Sequence, residues 1–419
     1  MILVDKKIIN NIVSLFGIQG MNYFIPLITL PYLVKTLGPE SYGVLGFSIA
    51  FIQYFCLIAD YGFNLSASRK VAMYSSDKFE VSRIFWHVII CKGMLAILGI
   101  FILVIACHAV PYLKMQQDVI WAAYGLVIGN ILFPVWLFQG KEQMGFSSLA
   151  NILSRAASIP LIFIFVKGEG DAWIAAAITS VTAIFGGLIS IFVLWQKKWI
   201  LFEKIECKRI VAEYRDGWHV FLSTAAVSLY TTSITVVLGF VAGPIAVGYF
   251  VAADKLRQAV QGLLLPISQA LYPRINSLMV TQPELAFVFL RNLLQYFSLG
   301  GLLLSLSIII CAPFGVSLLY GELYQSSVTV LYILAFCPFL VSVSNVLGIQ
   351  TMLVLGFNKA FSGVLICSGI LCLAMIFPFS FFWKEAGAAW VVLFTESSVT
   401  LMMLIFIWYK KIPLYRKSV

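Results

Sequence analysis

Charge is scarce in this chain. Only 11% of its 419 residues are Asp, Glu, Lys or Arg, against roughly 25% in a soluble enzyme of that size. No hydrophilic stretch is long enough to fold alone, which leaves no room for a separate catalytic domain. Histidine is rarer still: His87, His108 and His219 lie far apart in sequence, an arrangement that argues against a metal site. The eight cysteines form no C-x-x-C pair. Seven of them sit in apolar runs, where they read as small packing residues. A nucleophile paired with a base is also missing, so neither enzymatic activity nor a cofactor is expected.

What the chain does have is hydrocarbon. Hydrophobic residues make up 61% of it, in about a dozen long runs. Residues 8–34, 217–253 and 323–358 carry no charged side chain at all. A transmembrane helix needs about 20 mostly apolar residues. In lipid every backbone polar group must be satisfied within the protein, so such runs must be helices. The sequence predicts spans near 8–34, 41–66, 84–108, 119–139, 146–166, 172–196, 217–242, 244–270, 289–312, 325–349, 360–382 and 386–409. The first run is too long for the apolar region of a cleavable signal and reads as a retained signal-anchor.

The net charge of +10 could suggest nucleic acid, but its placement says otherwise. Twelve spans put both termini on one side, and 20 of the 28 Lys and Arg fall there. Four fall on the other side, and the remaining four lie within spans. This bias predicts cytoplasmic termini and a topogenic role for most of the basic excess. No nucleic-acid partner is expected.

The longest hydrophilic stretch, 197–216, mixes Trp199, Ile200, Phe202 and Ile205 with lysines, arginines and glutamates. It reads as a cytoplasmic amphipathic linker, suited to a helix on the membrane surface. The expected organisation is a six-helix lobe over 1–196, this linker, a second six-helix lobe over 217–409, and a basic cytoplasmic tail over 410–419. A shift of 205 residues lays Gly38-Pro39-Glu40-Ser41-Tyr42-Gly43 on Gly243-Pro244-Ile245-Ala246-Val247-Gly248, and Gln53 on Gln258 and Arg69 on Arg274. Both Gly-Pro copies fall between an odd and an even span, where Pro and Gly make a tight turn. Parallel repeats, a recurrent transporter architecture, follow.

Seven ionisable residues sit where hydrocarbon should be: Asp60, Lys92, Arg155, Asp254, Lys255, Arg257 and Glu396. Each costs about 2.5–3.5 kcal/mol at a helix centre, so they must pair, snorkel or line a wet cavity. Asp254, Arg257, Gln258 and Gln261 recur at i, i+3, i+4 and i+7 and share one helical face. Spans one, two, seven and eight are the polar ones, with Asn22 in the first and Gln53 and Asp60 in the second. A central cleft between the halves, lined by these four, is the economical arrangement. Buried cations outnumber acids, which suggests an anionic ligand; an internal ion pair between Asp254 and Arg257 that merely fixes packing is the competing reading. The spacings Gly125-x-x-x-Gly129 and Gly239-x-x-x-Gly243 allow close helix approach.

Several motifs carry a resemblance. Gln19-Gly20-Met21-Asn22-Tyr23, Leu37-Gly38-Pro39-Glu40-Ser41-Tyr42-Gly43, Asp60-Tyr61-Gly62-Phe63-Asn64, Trp136-Leu137-Phe138-Gln139-Gly140-Lys141-Glu142, Gln269-Ala270-Leu271-Tyr272-Pro273-Arg274-Ile275 and Ser344-Asn345-Val346-Leu347-Gly348-Ile349-Gln350, in that order, resemble the Wzx O-antigen flippases. These form part of the polysaccharide transporter branch of the multidrug/oligosaccharidyl-lipid/polysaccharide exporter (MOP) superfamily. The resemblance implies an all-α polytopic membrane protein with twelve transmembrane helices in two pseudo-symmetric six-helix lobes around a central cavity. It implies an undecaprenyl-diphosphate-linked oligosaccharide as cargo, membrane lipids as surroundings, an O-antigen polymerase and a chain-length regulator as partners, and the bacterial inner membrane as location.

The expected function is alternating-access flipping of that glycolipid, coupled to an ion. Lys92, Arg155, Lys255, Arg257, Gln258, Gln53 and Asn22 are the candidate substrate-binding residues, and Asp60, Asp254 and Glu396 the candidate coupling residues. A planar guanidinium suits diphosphate because it grips two oxygens at once. The alternative is a multidrug or small-cation exporter of the same superfamily, whose cavity would be dominated by carboxylates and aromatics.

Overall fold

The computed structural model describes residues 6–414; side chains of residues 6–24 and of Pro26, His219, Ser223, Ala226, Val227, Leu229, Tyr230 and Thr231 lie outside that description. The described residues are helical almost throughout, with no strand among them. Nine stretches among them are long and apolar enough to cross a membrane. The protein is an all-α polytopic membrane protein, as the apolar runs require. Three of the longest helices carry a backbone break, at Gly38, Gly243 and Lys384. Each break falls where the sequence places a turn between two spans.

The chain forms two compact units, one of residues Thr36–Val236 and one of Met1–Lys35 with Val237–Val419. The unit boundaries fall inside two helices, α1 (Lys6–Asp60) and α9 (Cys207–Gln261). The first unit holds the second part of α1, from Thr36 on, then α2 (Phe63–Met73), α3 (Lys78–Ala109), α4 (Pro111–Met115), α5 (Gln117–Leu132), α6 (Val135–Gly140), α7 (Met144–Phe165), α8 (Ala172–Gln196) and the start of α9. Asp77 caps α3 by accepting from the backbone N–H of Phe79 at 2.9 Å and of Glu80 at 3.2 Å, satisfying two donors that a helix start leaves open.

Helices α5 and α8 pack through small residues. A methyl group at Gly129 would come 2.6 Å from Ala183 Cβ, and one at Gly125 2.7 Å from Ser180 Cβ. The first Gly-x-x-x-Gly spacing is therefore a contact stripe. The second is not: a methyl at Gly243 would meet nothing within 4 Å. Gly243 serves the turn instead, at φ 84° and ψ 179°. Its repeat mate Gly38 has φ 68° and ψ 173°. Two positions 205 residues apart share one rare backbone state, and each precedes a proline.

The motif from Trp136 to Glu142 is structural. Trp136, Leu137 and Phe138 are fully buried in the core formed by Phe63, Val71, Phe85 and Val88. Gly140 lies so close to α2 that a methyl there would sit 2.7 Å from Val71 Cβ.

The linker departs from expectation. It becomes helical only at Cys207, and residues 199–206 run non-helically along α3. The reason is hydrogen bonding. Leu201 N–H donates to Ser82 Oγ at 2.7 Å, Leu201 C=O accepts from Trp86 Nε1 at 2.8 Å, and Glu206 N–H donates to His87 Nε2 at 3.0 Å. Side chains of α3 thus take the backbone groups that a surface helix would satisfy itself. His87 completes the arrangement with Nδ1 2.6 Å from the Arg83 carbonyl, so its role here is structural. Arg209, at the start of α9, donates to Glu80 at 2.9 and 3.3 Å, and that hydrogen bond raises its guanidinium above the ordinary value.

The second unit holds the start of α1, the rest of α9, α10 (Leu265–Thr281), α11 (Pro283–Tyr320), α12 (Gln325–Leu334), α13 (Cys337–Asn345), a π-helical turn (Val346–Leu353) and α14 (Asn358–Tyr409). Its core joins Leu271, Ile275, Leu290, Phe297, Leu347 and Met403.

Candidate functional site

Most of the charged residues singled out in the apolar runs gather in two clusters, one in each unit. In the first, α1 ends at Asp60 because the backbone turns left-handed at Tyr61 (φ 41°) and Gly62 (φ 75°). The turn is pressed against α9: a methyl on Gly62 would lie 2.8 Å from the Phe221 backbone nitrogen. Tyr61 stacks on Phe221 at 4.9 Å between ring centres, which fixes the place of the preceding residue. Lys92, from the middle of α3, donates to Asp60 Oδ1 at 2.7 Å. Asn130 of α5 donates to Asp60 Oδ2 at 3.2 Å. The Lys92 side chain is 1% exposed and that of Asp60 23%, so the lysine is sealed and only the carboxylate is reachable.

In the second unit the face predicted on α9 is a hydrogen-bonded row. Arg257 meets Asp254 Oδ1 through Nε at 2.8 Å and through Nη2 at 2.7 Å. It also donates to Gln261 Oε1 at 2.6 Å, while Gln258 donates to Asp254 Oδ2 at 2.6 Å. Glu396 of α14, partly buried, lies within electrostatic range of both Arg257 and Asp254. One guanidinium is thus paired with one carboxylate and within electrostatic range of a second.

A cavity of about 170 Å³ opens beside this row, lined by Gln258, Gln261, Leu264, Phe297, Ser342 and Asn345 among others. Its polar wall is held by residues that the sequence reading did not assign to a site. Asn345 Oδ1 accepts from Ser268 Oγ at 2.6 Å. Gln350, fully buried in the π-helical turn, donates to Ser268 Oγ at 2.9 Å and to Ser268 C=O at 2.8 Å. Asn345 and Gln350 close the Ser344 to Gln350 motif, so the motif itself was the signal. Its geometry was not legible because a π-turn shifts every side chain relative to α-helical spacing.

The remaining predicted residues are placed differently. Arg155 is exposed on α7 and donates to Asn151 Oδ1 at 2.7 Å. Lys255 and Gln53 are exposed, each on its helix. The Asn22 side chain lies outside the described residues. The structure thus brings Asp254, Arg257, Gln258 and Glu396 together, and separately Asp60 with Lys92. It corrects one expectation: Lys92 and Arg257 each carry an adjacent carboxylate, so neither is a surplus positive charge. Among the described residues only Arg155 and Lys255 of the four candidate cations lack an ion pair. In low dielectric the pairing is what makes the burial tolerable.

Residues 8–279 match the family model described as "Polysaccharide biosynthesis protein". A relative from Escherichia coli (strain K12), named "Putative O-antigen transporter", is 42% identical over 95% of this chain and 96% of its own. Another of that name, from Shigella dysenteriae, is 31% identical over 94% of this chain and 98% of its own. Among solved structures, the lipid II flippase MurJ in an inward closed conformation aligns at a TM-score of 0.80 and 10% identity, over 94% of this chain and 87% of that one. An inward-facing multidrug resistance MATE transporter of the MOP superfamily aligns at 0.72 and 16% identity, over 93% and 94%. The chain belongs to the polysaccharide biosynthesis protein family and has the fold of MOP superfamily transporters.

Proposed function

We propose that this member of the polysaccharide biosynthesis family is a flippase. It moves O-antigen repeat units carried on undecaprenyl diphosphate from the cytoplasmic to the periplasmic leaflet of the bacterial inner membrane, by ion-coupled alternating access. The observation that carries the reading is the 42% identity to the Escherichia coli relative named "Putative O-antigen transporter", over 95% of this chain and 96% of that one.

The chemistry supports it. A sugar-bearing diphosphate cannot cross hydrocarbon without shedding its hydration. The row on α9 offers a substitute: Gln258 and Gln261 line the cavity, and Arg257 stands beside them, held by Asp254. An arriving diphosphate must compete with that carboxylate for the guanidinium. Protonation of Asp254 or Glu396 frees Arg257 for the anion, and deprotonation recaptures it and releases the cargo. Asp60 and Lys92 form a second pair of the same kind, with the carboxylate as the reachable partner. A membrane potential negative inside contributes about 2.3 kcal/mol per charge per 100 mV. It favours an anion moving outward and protons moving inward.

The test is cellular. Arg257→Ala, expressed at wild-type levels in a deletion strain, is expected to lose most O-antigen display. Undiminished display removes Arg257 from the mechanism. One observation favours the second reading, a small-cation exporter: Glu396 as well as Asp254 lies within electrostatic range of Arg257. That reading predicts that deletion sensitises cells to organic cations and leaves O-antigen unchanged.

A further inference from the structure

A second cleft, of about 610 Å³, lies in the first unit between α2 and the start of α9. Three basic residues and one acid line it: Arg69 and Lys70 from α2, and Arg215 and Asp216 from α9. Lys70 is already matched, with its Nζ 2.8 Å from Glu213 Oε2 and 2.8 Å from Asp216 Oδ2. These contacts hold α2 and α9 together and fix the cleft's width. Arg69 and Arg215 are exposed and have no ion pair among the described residues. The rim is apolar, with Leu65 55% and Met73 62% exposed.

The repeat register sharpens the contrast. Arg274, the mate of Arg69, packs its guanidinium over the Phe289 ring at 5.9 Å. Among the described residues Arg69 has no such ring contact, and it lines the cleft. Two open guanidiniums beside a hydrocarbon rim select a ligand with phosphoryl oxygens at one end and an alkyl chain at the other. Two guanidiniums lining one cleft offer several N–H donors in fixed forks, which suits a diphosphate better than a single phosphodiester.

We propose that this cleft is a docking site for the diphosphate headgroup of a polyprenyl-linked glycolipid, occupied before the glycolipid reaches Arg257. The inference rests on the flippase reading. It adds a site on the side of the membrane where the basic residues gather, the cytoplasmic side by the charge bias.

Full-length protein in neutral detergent, titrated with farnesyl diphosphate as the probe, tests it. The double variant R69Q/R215Q is expected to bind at least tenfold more weakly with an unchanged thermal transition. If the double variant does not fold, R69Q and R215Q are read singly, each with an expected loss of at least threefold. Equal affinity in wild type and variants, or no binding to wild type, overturns the site. Displacement of the probe by phosphatidylglycerol or by inorganic diphosphate at equal potency overturns the assignment to a lipid diphosphate. None of these results bears on surface display in the deletion strain, which judges the flippase reading by itself.

Discussion

Lys92 Nζ lies 2.7 Å from Asp60 Oδ1, and the two residues come from helices that would each be costly in lipid without the other. Insertion of either charge alone costs about 2.5–3.5 kcal/mol at a helix centre. Together they form a short ion pair that Asn130 steadies from α5. The pair explains why a lysine can stand in the middle of a long apolar helix at 1% exposure.

Removing one partner leaves the other buried and uncompensated. Asp60→Asn or Lys92→Met alone is expected to destabilise the protein by about 3–5 kcal/mol. The double variant is expected to recover most of that loss. Thermal unfolding of the detergent-solubilised chain measures all three. Additive losses in the double variant show that the pair does not couple.

The two repeat-related glycines make a matched test. Gly38 and Gly243 both hold φ between 68° and 84° with ψ near 180°, where a Cβ costs roughly 1–3 kcal/mol. Gly243→Ala has open space around the new methyl, so its cost is conformational alone. Gly38→Ala also brings the methyl to 3.2 Å from Glu169 Oε1. Both are expected to lower the unfolding midpoint, Gly38→Ala slightly more. An unchanged midpoint for Gly243→Ala removes the argument that the glycine is there for its backbone state.

Ser268, Asn345 and Gln350 form the polar wall behind the α9 cavity. Gln350→Met deletes two donated hydrogen bonds and leaves Ser268 C=O without that donor, at a cost of about 1–3 kcal/mol. Asn345→Ala is expected to cost less, because Ser268 keeps its bond from Gln350. The order of the two midpoints in chemical denaturation decides whether Gln350 or Asn345 anchors the wall.

In the proposed flippase, coupling falls to carboxylates beside cations. Asp254→Asn keeps the shape and removes the proton site. In proteoliposomes carrying an imposed pH gradient, the variant is expected to lose the gradient's stimulation of transport while retaining a slow basal rate. A gradient response equal to wild type excludes Asp254 as the coupling residue and leaves Asp60 and Glu396.

Much of this was legible in the sequence, for identifiable reasons. The row of Asp254, Arg257, Gln258 and Gln261 follows from helical periodicity, and it is hydrogen-bonded along that face. The breaks at Gly38 and Gly243 follow from Gly-Pro chemistry. The partner of Lys92 was not legible, because no spacing rule links α1 with α3 across 32 residues. The non-helical run before Cys207 was missed for a similar reason: Ser82, Trp86 and His87 supply its hydrogen bonds from a helix more than a hundred residues earlier. The expected surplus of buried positive charge failed because counting charges along spans cannot reveal which are neighbours.

Reconstitution tests the central claim most directly. Purified full chain in proteoliposomes, loaded with a fluorescent lipid-linked repeat unit in one leaflet, is assayed for its appearance in the other leaflet. Translocation is expected well above that of protein-free vesicles, abolished by Arg257→Ala and accelerated by an imposed proton gradient. Translocation no faster than in empty vesicles, with a folded protein and the cognate glycolipid, contradicts the claim.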